Sequence, residues 1–593
     1  MIPTDKKNRN IYDIAESDMN GAERGQIVVG EIQPVRGIRQ TKIRVAEVIG
    51  NMNDPKAISL IAIHEKGLRS EFSAAVIEET KNMKVPDLKG REDLRKLPLV
   101  TIDPADARDR DDAVYAEKTA DGGYRITVAI ADVSHYVRHG SALDKEAFAR
   151  GNSTYFPDRV VPMLPEQLSN NLCSLAPKEN RACIAVHMTI DKHGQMQKYQ
   201  FVRGIMNSLA ALSYEQAQAA MKDGITDDTT GPLLEPVLKP LFEAYKILRA
   251  AREKRGALDL VIPERKIVVD EKGNMTGVKV REHFEAHEVI EEMMVLANVA
   301  AASALEDKDK PCVYRIHDKP TPQKLESLGE YLQAFGVSLP KGQVPQPGQL
   351  NEVLKKVADH PYKHLVSDAM LRSQARAEYN PENIGHFGLA LKKYAHFTSP
   401  IRRYADLVVH RSLINAFNLG NDGLKEVEVA TLAETAAHIS ATERTSAEAE
   451  RTAVDRFTAA YLSQHIGSQF AGRIRGVTRA GLFIELSETG ADGFVPMRML
   501  PRDQYVHDEK RHCLVGRHSG RIFRLGASVT ATIVDAERTT GSTILELVGA
   551  EHGADIPGAD FGDSPLPFGG GGNRRGNGHG RGNRHRGGPK HGR

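Results

Sequence analysis

Cysteine is scarce in this chain. Only Cys173, Cys183, Cys312 and Cys513 occur, and no two stand at the short spacing that zinc ligands or a redox pair require. That excludes a cysteine-built metal or redox centre and leaves buried or incidental thiols as the plain reading. Long apolar runs are missing as well. The most apolar stretch, Met293 to Leu305, is interrupted by Asn298 and falls short of the roughly 18 uninterrupted residues that a bilayer helix needs. No apolar h-region follows the opening MIPTDKKNRN, so neither a membrane span nor a signal peptide is expected, and a cytoplasmic location is. Acid is absent after Asp563, whereas Arg574, Arg575, Arg581, Arg584, Arg586, Lys590 and Arg593 add seven positive charges there. With a formal net charge of +2, about −5 remains for the rest of the chain. A neutral-to-acidic body with a basic tail points to a nucleic-acid partner held electrostatically.

What is present is the composition of a globular protein, 40% hydrophobic and 27% charged. At 593 residues the chain exceeds one ordinary core, so several domains are expected. GQIVVGEIQPV, TKIRVAEVIG and AISLIAI read as period-two strands of a small barrel. A charged helical segment, about 69–97, leads into a long mixed α/β region. There DAVYAEK and YRITVAIADV should form a hairpin about Asp121-Gly122-Gly123. Helical periodicity follows over Glu285–Leu305, Pro400–Phe417 and about Leu432–His465. From Gly467 to Val548 short strands return, five or so in number, with SVTATIVDAE after a loop. Their pattern fits an OB fold, a barrel that receives single-stranded nucleic acid. After Phe568 the chain is almost wholly Gly, Asn, Arg and His, and is expected to be disordered.

The sharpest chemical signal is LVTIDPADARDRDDAVYAE, an apolar strand running into Asp103, Asp106, Asp109, Asp111 and Asp112. So many carboxylates in one loop repel one another unless a cation sits among them. Oxygen donors without His or Cys favour Mg²⁺, with Mn²⁺ as a substitute, over zinc. Two such ions would suit phosphodiester hydrolysis. The hairpin should return Asp132 beside the cluster as a supporting carboxylate. A solvated acidic loop is the alternative; an EF-hand is excluded by spacing. In HFTSPIRRYADLVVHR, Thr398 or Ser399 can cap a helix opened by Pro400. Arg402 and Arg403 would then lie in its first turn, where an anionic partner such as phosphate offsets the positive dipole end. Pairing of either arginine with a structural carboxylate is the competing reading.

Six segments, in this order, resemble the ribonuclease II and ribonuclease R (RNB) exoribonuclease family, more nearly its ribonuclease R branch. They are TIDPADARDRDDAVYAE, VAIADVSHYV, GNSTYFPDRVVPMLPEQLSNNLCSLAP, IEEMMVLANVAA, YRIHDKP and NIGHFGLALKKYAHFTSPIRRYADLVVHR. The resemblance spans about Arg91 to Val548. It implies a multidomain α+β chain: a mixed α/β RNB catalytic domain flanked by small OB-fold barrels, with a disordered basic tail. The expected divisions are a cold-shock-like barrel over 1–68, a linker over 69–90, the catalytic domain over 91–465, an OB fold over 466–549 and the tail over 550–593. Family members usually carry two cold-shock barrels, and only about one fits here, so a shortened N-terminus is expected.

The resemblance further implies a processive 3′→5′ exoribonuclease acting on single-stranded RNA, releasing nucleoside 5′-monophosphates and serving RNA turnover as a monomer. Position by position it puts metal ligands on Asp103, Asp109, Asp111 and Asp112, outside which Asp106 falls. It puts charge stabilisation on Arg402, a catalytic-site tyrosine on Tyr314, a base-stacking aromatic on Tyr155 and a glutamate near the site on Glu450. Arg403 and, in the tail, Arg574, Arg575 and Arg581 are further RNA-contact candidates. Tyr155 and Tyr314 as core aromatics, Glu450 as a solvated helix position and the tail as a solubilising appendage are the bland alternatives. His317 and His396 read as structural. A non-catalytic RNA-binding protein and a DNA exonuclease are the rival functions.

Overall fold

β-Branched runs open the fold. β1 (Gln26–Gln33) and β2 (Lys42–Asn51) pair antiparallel, burying Ile27, Ile43 and Val45. A computed structural model describes residues 1–5, 8, 10–33, 42–260, 264–333, 335–339, 344–360, 362–509 and 511–555. AISLIAI, expected as a strand, is a helix, Ala57–Glu65. A short apolar run has no period that separates a strand from a buried helix. Here tertiary contact decides: Ala62 and Ile63 pack with Phe156, Val161, Ala449 and Ala453. The segment after it holds one short helix, Ala74–Thr80, capped by Ser73.

A seven-stranded sheet carries the site. Its strands are β3 (Glu92–Asp93), β4 (Val100–Asp103), β5 (Asp112–Lys118) and β6 (Tyr124–Ala131). After a separate two-residue hairpin of β7 (Thr154–Tyr155) and β8 (Val160–Val161) come β9 (Asn180–Ile190), β10 (Met196–Asn207) and β11 (Ala210–Ser213). The order is β11-β4-β5-β6-β9-β10-β3, antiparallel except for the two edge pairs β11–β4 and β10–β3. The expected β5–β6 hairpin is present, with Gly122 of its turn at φ 83°, where glycine carries no Cβ penalty.

Both faces of this sheet are buried, and its sequence alternates by size. Ile126, Val128, Ile130, Ile184, Val186 and Met188 face one core, where helices Lys239–Arg255 and Glu285–Asp307 lie. Ala129, Ala131, Cys183 and Ala185 face the other, and these small residues let helices Ala142–Arg150 and Tyr404–Ala416 approach closely. Each fully buried Ile or Val contributes roughly 1.5–3 kcal/mol. All four cysteines are free and buried, in keeping with incidental thiols.

Two small ladders follow, β12 (Arg265–Val269) with β13 (Met275–Val280), and β14 (Tyr314–His317) with β15 (Ala377–Asn380). Between the last two, helices Pro322–Gln333, Pro347–Lys356 and Lys363–Ser373 share a core of their own. The long C-terminal helix, Leu432–Leu462, acts as an axle. Its Arg456 pairs with Glu65 at 2.8 Å on one side and donates to the Thr539 carbonyl at 2.7 Å on the other.

The C-terminal barrel begins with β16 (Gln469–Thr478), β17 (Gly481–Leu486) and β18 (Asp492–Pro496), whereas among the described residues the N-terminal strands form only the two-stranded β1–β2 sheet. The segment expected as a loop then forms a three-stranded sheet, β19 (Tyr505–Asp508), β20 (Cys513–Gly516) and β21 (Ile522–Arg524). β22 (Ser528–Glu537) and β23 (Ser542–Val548) close a five-stranded barrel in the order β16-β17-β18-β23-β22. The expected tail start at 550 moves outward, because Ala554 donates to the Ile522 carbonyl at 2.7 Å and keeps the chain folded to 555. The expected disorder beyond, with Arg574, Arg575 and Arg581, lies outside the described residues. Among the described residues no helix is long and apolar enough to cross a membrane.

Candidate active site

β4 ends at Asp103 because Pro104 has no N–H to continue the ladder, and β5 begins at Asp112. The intervening loop is pinned from beneath. The Ser174 hydroxyl donates to the Arg108 carbonyl (2.7 Å), and the Leu175 amide donates to the Arg110 carbonyl (3.0 Å). The Ala131 amide at the end of β6 holds the Asp111 carbonyl at 2.8 Å. Asp103 and Asp111 are thereby carried inward, 7% and 2% exposed. Asp106 turns out to solvent, 3.7 Å from Lys266.

The second wall comes from the SPIRR segment. The Ile401 amide donates to Asp111 Oδ1 at 2.9 Å, and Arg402 Nε lies 3.2 Å from Oδ2 of both Asp109 and Asp111. The helix expected from Pro400 starts only at Tyr404. The Arg402 carbonyl accepts from the Ser153 amide and the Tyr404 amide donates to Gly151, so this stretch is paired across to 151–153 before the helix begins. Gly151 permits the approach: its φ is 71°, and a Cβ there would meet Thr442 Oγ1 at 2.0 Å. Arg403 corrects its expected role as an RNA contact, since its guanidinium forks onto the buried Asp406 with both bonds at 2.8 Å.

Burial sets the electrostatics. It pushes the Asp103 carboxyl up to about 6 against the pull of Arg402 and Arg110. Burial and the neighbouring Asp103 charge push Asp112 up to about 8, and burial lifts Asp111 well above the carboxylate range despite Arg402. Oδ2 of Asp103 and of Asp111 are buried without a hydrogen-bond partner. Among the described residues no three His, Cys, Asp or Glu side chains already stand as a finished cation site. A guanidinium instead lies between two of the carboxylates. The donor set nevertheless suits hard divalent cations: all oxygen, surplus negative charge and two buried oxygens that accept no hydrogen bond.

Two sequence-predicted residues stand at the rim. Tyr155, 40% exposed, donates its hydroxyl to Asp109 Oδ2 at 3.3 Å. Glu450, on the Leu432–Leu462 helix, accepts from the Tyr155 amide at 2.7 Å, so it supports the tyrosine rather than joining the aspartates. Replacing Tyr155 with Ala is expected to weaken single-stranded RNA binding about 10- to 100-fold, from the roughly 1–3 kcal/mol of one stacked base. Fluorescence anisotropy in EDTA checks this, and unchanged affinity would show that no base stacks there.

Two expectations fail here. Tyr314 is buried in the main core, and the carboxylates near it are Glu306 and Asp307, not the aspartate cluster. Besides Tyr155, a tyrosine near the cluster is Tyr214, which the sequence alone did not single out. Ser213 stands opposite Asp103 in the parallel β11–β4 ladder, and Asp112 and Asp103 add to burial in raising the Tyr214 hydroxyl. Its signal was Ser213 followed by Gln216, a capping box that turns a strand end into a helix above the site. Asp132 is also no support to the cluster. Burial would raise its carboxyl, but Arg203 and Arg91, at 2.6 and 2.8 Å, hold it far below the usual range.

The raised carboxyls give a signed pH dependence. The folded, cation-free protein binds protons that the unfolded chain has lost above about 4, so this contribution to stability is full at low pH. It is lost as pH rises through about 6 and about 8. In EDTA the melting temperature should therefore fall between pH 5.5 and 8.5, and Mg²⁺ should raise it more at the higher pH. Scanning fluorimetry checks this; a flat profile with and without Mg²⁺ would contradict it.

Comparison with known proteins identifies the domains and the family. Residues 91–418 match the RNB domain, 1–73 a cold shock domain and 463–547 the S1 RNA binding domain. Ribonuclease R of Aquifex aeolicus (strain VF5) is 38% identical over 559 residues, 92% of this chain and 78% of that protein. Ribonuclease R of Escherichia coli (strain K12) is 38% identical over 568 residues, 93% of this chain and 70% of that protein. The structure of Mycoplasma genitalium RNase R in complex with ribose methylated single-stranded RNA superposes with a TM-score of 0.86 at 29% identity, covering 91% of this chain and 85% of that one. With the RNB domain over more than half its length and relatives of this closeness, the chain belongs to the ribonuclease R family of RNB exoribonucleases.

Proposed function

We propose that the protein degrades single-stranded RNA processively from the 3′ end, releasing nucleoside 5′-monophosphates, with Mg²⁺ held by Asp103, Asp109, Asp111 and Asp112. The observation that carries this reading is the buried aspartate cluster with Arg402 Nε 3.2 Å from two of its members. When bound, a pair of divalent cations supplies polarisation of the phosphodiester and a more acidic water. The chain's own residues do the rest. Arg402 faces the phosphate and stabilises the charge that develops on it. Tyr155 stacks on a base near the 3′ end, and Glu450 holds the Tyr155 backbone in place. Tyr214 stands over Asp103 and Asp112 with its hydroxyl kept protonated by burial and by their charge, and so serves as a hydrogen-bond donor. Depth explains the choice of a chain end: Asp103 and Asp111 are nearly inaccessible, so a terminus reaches them and the middle of a strand does not.

The support for RNA over DNA is the flanking pair of barrel modules and the kinship with RNA-degrading relatives. Single-stranded RNA labelled at its 5′ end, incubated with Mg²⁺ or EDTA, tests the reading. Loss of full-length RNA with direct appearance of a small labelled limit product, and few intermediates, is expected with Mg²⁺ and neither with EDTA. Immediate release of the labelled nucleotide would reverse the polarity. Unchanged RNA in both arms would leave only an RNA-binding protein, and faster loss of DNA of the same sequence would favour the deoxy substrate.

A further inference from the structure

Away from the aspartates, helices Pro322–Gln333 and Lys363–Ser373 meet the C-terminal barrel around a cavity of about 460 Å³. That size lies within the range of about 300–1,000 Å³ typical of small-molecule sites. Its lining shares no residue with the candidate active site. Leu328, Val477 and Leu525 make apolar walls, and Lys324, Arg372 and Arg475 bring positive charge; no acidic side chain lines it. Arg475 is offset by Glu485 and Asp492, at 3.3 and 3.5 Å. Among the described residues Arg372 donates only to the Arg475 carbonyl, at 3.4 Å, and Lys324 to the Gln374 carbonyl, at 2.6 Å. Asp368, on the Lys363–Ser373 helix, is within electrostatic reach of Tyr331 and Arg475 but does not line the space.

Two further features mark it as built for a ligand. Tyr331 lines the cavity, is 5% exposed, and its hydroxyl has no hydrogen-bond partner, an arrangement that costs free energy unless something else accepts or donates there. Beside it, His512, which also lines the space, packs edge-on to the Tyr331 ring with centroids 5.5 Å apart and fixes its orientation.

We infer that this cavity binds a small ligand of the nucleoside monophosphate class. Its phosphate lies against Lys324 and Arg372, its ring between Leu328 and Val477, and a polar ring atom meets the Tyr331 hydroxyl. Unpaired cations alone would suit any anion. The apolar walls and the orphan phenol suit a body with an apolar face and a polar edge, and the volume holds one nucleotide rather than a strand. Because its walls come from two domains, occupancy ties the barrel to the helical subdomain. The inference stands independently of the nuclease chemistry, since it rests on other residues and is read by binding alone.

Calorimetric titration of the full chain with 5′-AMP, in EDTA, tests it, with inorganic phosphate and adenosine as separate arms. One AMP per chain is expected, with phosphate and adenosine each at least about tenfold weaker. Arg372→Ala removes the phosphate contact and Ser327→Trp fills the space; each should weaken AMP by about tenfold or more, while Asp111→Asn leaves it unchanged. Circular dichroism confirms that the variants fold, and Arg372→Ala, on a solvent-facing wall, keeps the test decisive if the tryptophan variant does not. Absence of AMP binding, or equal binding by wild type and Arg372→Ala, would overturn the assignment. So would loss of AMP in Asp111→Asn, or displacement of AMP by a single-stranded RNA decamer through the same two variants, which would give the cavity to the RNA chain.

Discussion

Asp111→Asn is expected to lower RNA hydrolysis by at least about 10³-fold while single-stranded RNA affinity changes by less than about threefold. The substitution keeps shape and keeps an oxygen for the Ile401 amide, which Asp111 Oδ1 now accepts at 2.9 Å. What it removes is charge, at a position 2% exposed whose Oδ2 has no hydrogen bond. On the proposed reading a divalent cation loses a ligand that a neutral amide replaces poorly, whereas RNA would be gripped elsewhere, at Tyr155 and the barrels. The fold should not suffer. Burial already raises this carboxyl well above its ordinary range, so an uncharged side chain is no worse housed than an ionised one. In EDTA at pH 8 the variant should melt at the same temperature as the parent or higher. End-labelled RNA, anisotropy and a melting curve together separate a chemical defect from a folding one. Wild-type turnover in a folded variant would remove Asp111 from the reaction and the cluster from its proposed role.

That experiment probes the part of the molecule most legible in the sequence. Asp103, Asp109, Asp111 and Asp112 were conspicuous because like charges crowd one short loop, and such crowding survives in a folded protein with a counter-charge or with some of the carboxyls protonated. The β5–β6 hairpin was legible for a similar reason, since period-two patterning on both sides of Asp121-Gly122-Gly123 leaves few other geometries. The failures arose where local pattern and tertiary environment part company. Ala57–Glu65 has strand-like composition and is helical because it is enclosed by other elements. Pro400 is a good first helical residue, yet 400–402 close a turn on the Ser399 carbonyl and Arg403, bridged to Asn152, is extended, so the helix waits until Tyr404. Tyr314 and Tyr214 show the limit most plainly. Nothing in either local sequence says which tyrosine faces the aspartates; that follows from β11 lying parallel to β4, a contact between residues far apart in the chain.

The sharpest discrimination available is between two adjacent arginines. Arg402→Lys should lower kcat by about 10²–10³-fold with little change in KM, because lysine retains the charge but not the planar fork. Arg402 Nε now spans Asp109 and Asp111 at 3.2 Å each, while its Nη2 donates to the Asp109 carbonyl at 2.9 Å. A point charge on a flexible stem cannot hold that orientation and present a second edge to phosphate. Arg403→Ala, one residue on, should leave the chemistry of the folded fraction intact and instead destabilise the fold. It strands Asp406, which is fully buried and has both oxygens on Arg403, and removing one partner of such a pair costs about 3–5 kcal/mol. Asp406 keeps the Ser399 amide at 2.8 Å, so some of that loss is recovered. Steady-state kinetics on both variants, each normalised to its folded fraction by thermal unfolding, distinguishes the two positions. If Arg402→Lys were as active as the parent, the guanidinium would be a structural clasp for the acidic loop, and charge stabilisation at the phosphate would have to come from another group.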